Sequence, residues 1–312
     1  MSYLIIDGNS IGYAAHSTKP LVVDGIGEVQ AVYQSLKMLK SLKQKYSEYP
    51  NILWLWDGKA DFRFELYPEY KGNRSDTAEK REVKEKYHAV EDYLRKCLSL
   101  LGVVQLIAPN YEADDLAAFY CRQATKKNRK VQLITGDGDW KQLVSKNVSW
   151  CDPRTKLERF VDHTNFSQET GFDTPGKFLM HKALMGDSSD NIPSVGIGDK
   201  GAKLLIDHFG GVKQMLQAYK KDGEFNKSNL PGDEFKFHRK RYNEFCKSGV
   251  GLFKRNYELM NLLTDKRDLD ILNTVKASRS PTNIEEFEYV CRELRFMSIV
   301  REISRWEKLF NR

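Results

Sequence analysis

Four short apolar runs, each stopped by turn-forming residues, organise the first half of the chain. Tyr3-Leu4-Ile5-Ile6 stops at Asp7-Gly8-Asn9, and Ile52-Leu53-Trp54-Leu55-Trp56 at Asp57-Gly58. Val103-Val104-Gln105-Leu106-Ile107 stops at Ala108-Pro109-Asn110, and Val131-Gln132-Leu133-Ile134-Thr135 at Gly136-Asp137-Gly138-Asp139. Runs of this length between turn signals predict buried strands. Val32, Leu36, Leu39, Leu42 and Tyr46 recur at helical spacing, and helices are expected over 31–46, 83–101 and 113–127. Strands alternating with helices predict a parallel sheet in an α/β layer.

That alternation also sorts the acidic residues. In a parallel sheet the strands end on one edge, where ligands of open α/β folds bind. Asp7, Asp57, the cluster Glu112, Asp114 and Asp115, and the pair Asp137 and Asp139 each follow a strand. Positions more than 130 residues apart are thereby expected on one rim. A single carboxylate there is an ordinary turn or helix-start feature, favoured by the helix dipole. Several together repel unless cations lie between them. On a regular helix Glu112 and Asp115 lie about 60° apart while Asp114 points well away. Either the cluster starts before the helix, or its members serve different ions.

Segment 58–82 has little regular patterning, and a long irregular insertion beside a ligand rim is more often functional than accidental. It contains Phe62, Phe64, Tyr67, Tyr70, Lys71 and Arg74. Near 175 the pattern turns helical, with a helix over 176–185. Gly186-Asp187-Ser188-Ser189-Asp190-Asn191-Ile192-Pro193 follows, then Gly196-Ile197-Gly198-Asp199-Lys200 and Lys203. A Gly-x-Gly turn between helices, with Lys after it, suits a helix-hairpin-helix whose amides face phosphates. Residues 220–250 read as polar with loops, and 284–310 as helix.

Net charge of +7 permits a polyanionic partner without requiring one. Between Gly196 and Met260 there are 13 Lys/Arg against 8 Asp/Glu, so most of that excess sits here. Five cysteines without a C-x-x-C pair indicate neither a zinc site nor a disulfide framework, and fit a reducing, intracellular setting. Met1-Ser2-Tyr3 lacks a basic segment and Asp7 stops the apolar run, so no secretory leader is expected. No run approaches the ~20 apolar residues of a membrane span.

The nine carboxylates Asp7, Asp57, Glu112, Asp114, Asp115, Asp137, Asp139, Asp187 and Asp190 are hard oxygen donors, which favours Mg²⁺ or Mn²⁺ over Zn²⁺. They exceed what one ion needs and suit two ions about 4 Å apart, clamping an in-line phosphoryl displacement. A glycosidase pair would leave seven of them unexplained.

Asp7-Gly8-Asn9, Trp56-Asp57, Tyr70-Lys71-Gly72-Asn73-Arg74, Glu112-Ala113-Asp114-Asp115, Thr135-Gly136-Asp137-Gly138-Asp139-Trp140 and Gly186-Asp187-Ser188-Ser189-Asp190-Asn191-Ile192-Pro193 occur in an order that resembles the flap endonucleases. The likeness is to their bacterial and bacteriophage branch, the 5′→3′ exonucleases also found fused to DNA polymerase I. It covers roughly 1–210 and weakly reaches Glu293–Ser298. The resemblance implies a PIN/resolvase-like parallel sheet flanked by helices, with a helical arch over about 58–96. A C-terminal helical domain would carry the helix-hairpin-helix (H3TH-like) motif near 186–210. The expected division is 1–175 for the nuclease domain and 176–312 for DNA binding.

The implied activity is two-metal hydrolysis of DNA phosphodiesters near a 5′ end, as exonuclease and flap endonuclease in replication and repair, with RNA primers a further substrate. Asp7, Asp57, Glu112 and Asp114 would hold one Mg²⁺; Asp137, Asp139, Asp187 and Asp190 the second; Asp115 lies between the groups. Lys71 and Arg74 would steer the scissile phosphate. Tyr70 and its neighbouring aromatics would stack on bases or pack in a core. Gly196, Gly198, Lys200 and Lys203 would grip duplex phosphates. The turn Ile192-Pro193-Ser194-Val195-Gly196-Ile197-Gly198 is one residue shorter than the family's pattern, so K⁺ at its carbonyls is left open by the sequence.

Expected partners are DNA with 5′ ends, flaps or nicks, RNA–DNA hybrids, and a polymerase or single-strand-binding protein in trans. A cytoplasmic monomer without membrane contact is expected. A DNA-binding module without chemistry, and a single-strand ribonuclease of the PIN-like class, are the alternatives. The first predicts missing carboxylates or no Lys71, and the second does not require the Gly196–Lys203 turn.

Overall fold

A computed structural model describes residues 2–73, 77–154, 159–226, 230 and 232–311. The chain divides into two compact units, one of Met1–Ala60, Asp76–His163 and Asp265–Arg312, the other of Asp61–Ser75 and Thr164–Thr264.

Among the described residues the first unit contains nine strands: β1 (Tyr3–Asp7), β2 (Val22–Val23), β3 (Gly27–Glu28), β4 (Asn51–Trp56), β5 (Val104–Ile107), β6 (Val131–Ile134), β7 (Val148–Asp152), β8 (Arg159–Val161) and β9 (Lys276–Ser278). Seven form one sheet in the order β8-β7-β6-β1-β4-β5-β9, while β2 and β3 make a separate hairpin. The pairs β1–β4, β1–β6, β4–β5 and β6–β7 are parallel. The edge strands β8 and β9 run antiparallel, so the sheet is parallel only in its five central strands. Four of them, β1, β4, β5 and β6, read as largely apolar runs because helices cover both faces. Leu4, Ile6, Trp54, Trp56 and Ile134 pack with Val32, Leu36 and Leu39 of helix Gln30–Lys45, and with Leu94 and Leu98 of helix Ala78–Leu100.

Residues 265–312 differ from the expected cut near 175. Phe287, Val290, Trp306 and Phe310 are buried in this same core, which draws the chain end back to the sheet unit. They lie on short helices, including Ile284–Glu293 and Ile303–Phe310, rather than one long helix.

The second unit is helical: Asp61–Leu66, Phe166–Thr170, Pro175–Met185, Asp199–Phe209, Val212–Asp222, Gly232–Glu244 and Val250–Met260. Ala183, Leu184, Ile197, Leu205, Ile206, Met215, Tyr242 and Phe245 form its core. Helix Pro175–Met185 starts on Thr174, whose hydroxyl accepts the Lys177 N–H, with Pro in the first turn where no N–H is needed. Two stretches read as irregular are more ordered than expected: Asp61–Leu66 is a helical turn, and Gly232–Glu244 crosses the polar 220–250 region. Among the described residues, no helix is long and apolar enough to cross a membrane.

Candidate functional site

Asp7 ends β1 and caps the helix Gly8–His16 that follows without a loop. Its carboxylate accepts the Ser10 N–H at 2.9 Å and the buried Thr135 hydroxyl at 2.7 Å. In register, Asp7 lies opposite Leu55 of β4, and Ile6 opposite Ile134 of β6. Asp57 and the Thr135–Asp139 turn therefore leave neighbouring strands at the same sheet edge. Asp57 accepts the Asn9 side-chain amide and the Ala113 N–H, both at 2.8 Å, which fastens the start of helix Ala113–Lys126 to β4.

The acidic cluster begins before that helix. Glu112 is its extended N-cap (φ −82°, ψ 166°), and forms a capping box with Asp115, whose carboxylate accepts the Glu112 N–H at 3.3 Å. Glu112 and Asp115 are buried, whereas half-buried Asp114 accepts the Trp140 indole N–H at 2.8 Å. Asp137 accepts the Asp139 N–H at 2.8 Å and remains exposed.

Burial, then the Asp57 charge and to a smaller extent Asp137, raise the Asp7 carboxyl to about 7, against the lowering effect of the Ser10 and Thr135 hydrogen bonds. A buried carboxylate held that high by its neighbours, among hard oxygen donors only, fits a site for a hard divalent cation. The expected ligand set is not preformed, however. Among the described residues no three acidic, histidine or cysteine side chains converge as a ready metal cage. Asp7, Asp57 and Asp114 accept hydrogen bonds from Ser10 and Thr135, from Asn9 and Ala113, and from Trp140, respectively.

Arg154 carried no motif in the sequence. Its guanidinium is held by Asp152 at 2.8 and 2.9 Å and donates to the Gly136 carbonyl at 3.0 Å. Asp152, then Asp7 and Asp137, raise its pKa against burial. A Cβ on Gly136 would lie 1.7 Å from the guanidinium carbon, so glycine lets this cation lie against the acidic turn.

In the second unit, Asp187 and Asp190 flank a short 3₁₀ turn, Ser188–Asp190. Asp187 accepts the Ser189 N–H at 2.8 Å and hydroxyl at 2.6 Å, with the Lys182 ammonium at 3.4 Å. Burial would raise its pKa, but Ser189 and Lys182 outweigh it and hold the carboxyl below its ordinary value. Asp190 accepts the Tyr70 hydroxyl at 3.1 Å, and its carbonyl accepts the Lys71 N–H at 2.9 Å. Tyr70 is only 4% exposed and packs edge-on to Phe64, so its ring is a core element and not a base-stacking surface. Arg74 lies outside the described residues.

Gly196 and Gly198 both adopt positive φ (85° and 80°), which a side chain would resist, and Gly198 starts helix Asp199–Phe209. Lys200 is exposed, with no ion pair among the described residues. Lys203 differs from the expectation: its ammonium donates to the Gly171 carbonyl at 2.9 Å and Asp207 at 3.0 Å, and lies over the Phe172 ring. Those contacts occupy it within the unit.

A family model, the 5′-3′ exonuclease N-terminal resolvase-like domain, matches residues 2–171. The chain belongs to the 5′-3′ exonuclease family. DNA polymerase I of Thermus filiformis is 33% identical over 217 residues, covering 69% of this chain and 24% of that protein. DNA polymerase I of Mycobacterium tuberculosis is 33% identical over 223 residues, covering 68% and 24%. The chain thus spans about a quarter of the length of these curated relatives. Among solved structures, the T5 D15 protein co-crystallised with metal ions is 25% identical over 97% of this chain and 99% of that one, with a TM-score of 0.66. T5 5′-exonuclease with bound zinc is 27% identical over 88% and 99%, at 0.67. The exonuclease model stops before the Asp187–Asp190 turn, and the matches to DNA polymerase I and to T5 D15 extend beyond it.

Proposed function

We propose that this family member is a divalent-metal-dependent, structure-specific 5′ nuclease that hydrolyses DNA phosphodiesters at 5′ ends and flaps. One observation carries the reading: the parallel sheet delivers Asp7, Asp57 and Asp137 to one edge, where burial and then the Asp57 charge raise the Asp7 carboxyl to about 7. Mg²⁺ (or Mn²⁺) held by Asp7, Asp57, Glu112 and Asp114 would activate water and neutralise the phosphodiester as charge moves to the leaving oxygen. Asp137 and Asp139 would hold a second ion, and Asp115 would orient Glu112 through the helix cap. Thr135 and Ser10 hold Asp7 in place, and Trp140 holds Asp114. Lys71 and Arg74 would orient the scissile phosphate and stabilise its developing charge. The Gly196–Gly198 turn, whose Gly196 N–H donates to the Ser194 hydroxyl at 3.1 Å, and the Lys200 charge would face duplex phosphates. The enzyme would work as a monomer in the cytoplasm, on DNA and on RNA–DNA hybrids.

A 5′-flap duplex labelled at either end tests this. Cutting near the single-strand/duplex junction is expected in Mg²⁺ or Mn²⁺ and absent in EDTA. Binding without cutting under every metal would reduce the protein to a DNA-binding module. Lys200→Ala should weaken duplex binding and lower the slope of log K against log[salt] by about 1. An unchanged slope would remove Lys200 from the phosphate contacts.

A further inference from the structure

Two non-glycine residues with left-handed backbone face each other in the second unit, a conformation that Asn tolerates and Lys disfavours. Lys71 has φ 57° and Asn191 φ 59°. Such conformations cost about 1–3 kcal/mol and persist only where surrounding contacts over-determine them. Here the contacts are reciprocal. The Asn191 side-chain amide donates to the Glu69 carbonyl at 2.8 Å, and the Lys71 N–H to the Asp190 carbonyl at 2.9 Å. The Asn73 side-chain amide donates to the Ser188 carbonyl at 2.5 Å, and the Tyr70 hydroxyl to the Asp190 carboxylate at 3.1 Å. Tyr70, Lys71 and Asn73 are thus hydrogen-bonded directly to the 188–190 turn. Gly72 itself has Glu69 O 3.0 Å and Asn191 Nδ2 3.7 Å from where a Cβ would stand, so the two turns are in close contact.

We infer that Asn191, assisted by Asn73, is a positioning residue that sets the Lys71 backbone against the Asp187–Asp190 turn. The inference rests on the proposal that Lys71 acts on the scissile phosphate. The side-chain amide of Asn191 crosses to the carbonyl two residues before Lys71, while its own left-handed backbone turns the chain after Asp190. One residue therefore fixes both sides of the junction. A lysine whose Cα is pinned in this way gives up less conformational freedom in placing its ammonium, which is how preorganised groups contribute to rate.

Asn191→Gly separates the two contributions, since glycine keeps the left-handed backbone and removes only the amide bridge. Single-turnover cleavage of the 5′-flap duplex in Mg²⁺ should fall about ten-fold. Melting temperature and DNA affinity in Ca²⁺ should stay at wild-type values. Asn73→Ala should give a smaller loss of the same kind. The decisive measurement is the double mutant with Lys71→Ala: if Asn191 acts through Lys71, Asn191→Gly costs nothing further in that background. Multiplicative losses would overturn the inference, as would wild-type cleavage by Asn191→Gly beside a slow Lys71→Ala. Wild-type cleavage by Lys71→Ala itself would instead remove the parent reading, and this one with it.

Discussion

Asp7→Asn should abolish turnover, by about three orders of magnitude or more, while making the metal-free protein more stable. The two effects share one cause. Asp7 is 7% exposed and receives its hydrogen bonds from neutral donors, with the Asp57 charge nearby. Its folded pKa is raised to about 7 from an ordinary 3.8. A carboxyl shifted upward contributes stability that is fully present below about pH 4 and is lost as pH rises through 7. At pH 8 the metal-free fold therefore carries a buried charge beside that of Asp57. At about 1.4 kcal/mol per pH unit the ceiling is roughly 4 kcal/mol. Asparagine keeps one acceptor oxygen for Ser10 or Thr135 and gives up the other, so about 1–2 kcal/mol should survive as a net gain.

Thermal unfolding in EDTA checks this. The variant should melt a few degrees above wild type at pH 8, and the gap should close by pH 5, where wild-type Asp7 is protonated. Added Mg²⁺ should raise the wild-type melting temperature through ligand linkage and leave the variant nearly unmoved. Retained turnover would take Asp7 out of the site. Equal melting temperatures in EDTA at pH 8 would mean that Asp57 and burial do not burden it.

The strand-end acids were legible because two independent signals agreed. Apolar runs fixed the strands of the central sheet, and a parallel sheet leaves its strand ends on one edge. What the sequence did not carry lies in short or special segments. β8 and β9 have three residues each, too few to show a period. Asp7-Gly8-Asn9 reads as a turn but opens the segment Gly8–His16, in which Gly8, Asn9, Ser10 and Gly12 are poor helix formers. It is helical because Asp7 caps it and Gly12 leaves room for Tyr87, whose hydroxyl would lie 2.0 Å from a Cβ there. The return of 265–312 to the first core depends on long-range packing of Phe287 and Trp306, which local pattern does not encode. The burial of Tyr70, the occupation of Lys203 and the placement of Arg154 and Asn191 are likewise matters of partner, and residue type alone does not name a partner.

Gly58→Ala should be the most damaging single methyl in the first unit. Gly58 follows Asp57 at the end of β4, and a Cβ there would stand 2.0 Å from the Ala108 carbonyl oxygen and 2.6 Å from that of Pro109. Both obstacles are backbone, so no side chain can turn aside. The same junction is tied by Gly58 N–H to the Tyr111 carbonyl at 2.9 Å and Lys59 N–H to the Pro109 carbonyl at 2.7 Å. Admitting the methyl means parting β4 from the 108–111 loop and breaking one or both bonds. Overpacking of this kind costs about 1–3 kcal/mol, and each buried backbone group left unpaired adds about 1–3 kcal/mol. A loss of about 3–5 kcal/mol in urea unfolding is expected. The loop leads directly into Glu112 and Ala113, whose N–H donates to Asp57. Separation there also pulls the acidic helix away from the strand-end carboxylate. In whatever fraction stays folded, Mg²⁺ should give less thermal protection than in wild type, and cleavage should need more Mg²⁺ for half-maximal rate. Wild-type stability would show that the loop moves freely from β4. Lost stability with unchanged Mg²⁺ dependence would show that the junction supports the fold without setting the spacing between Asp57 and Glu112.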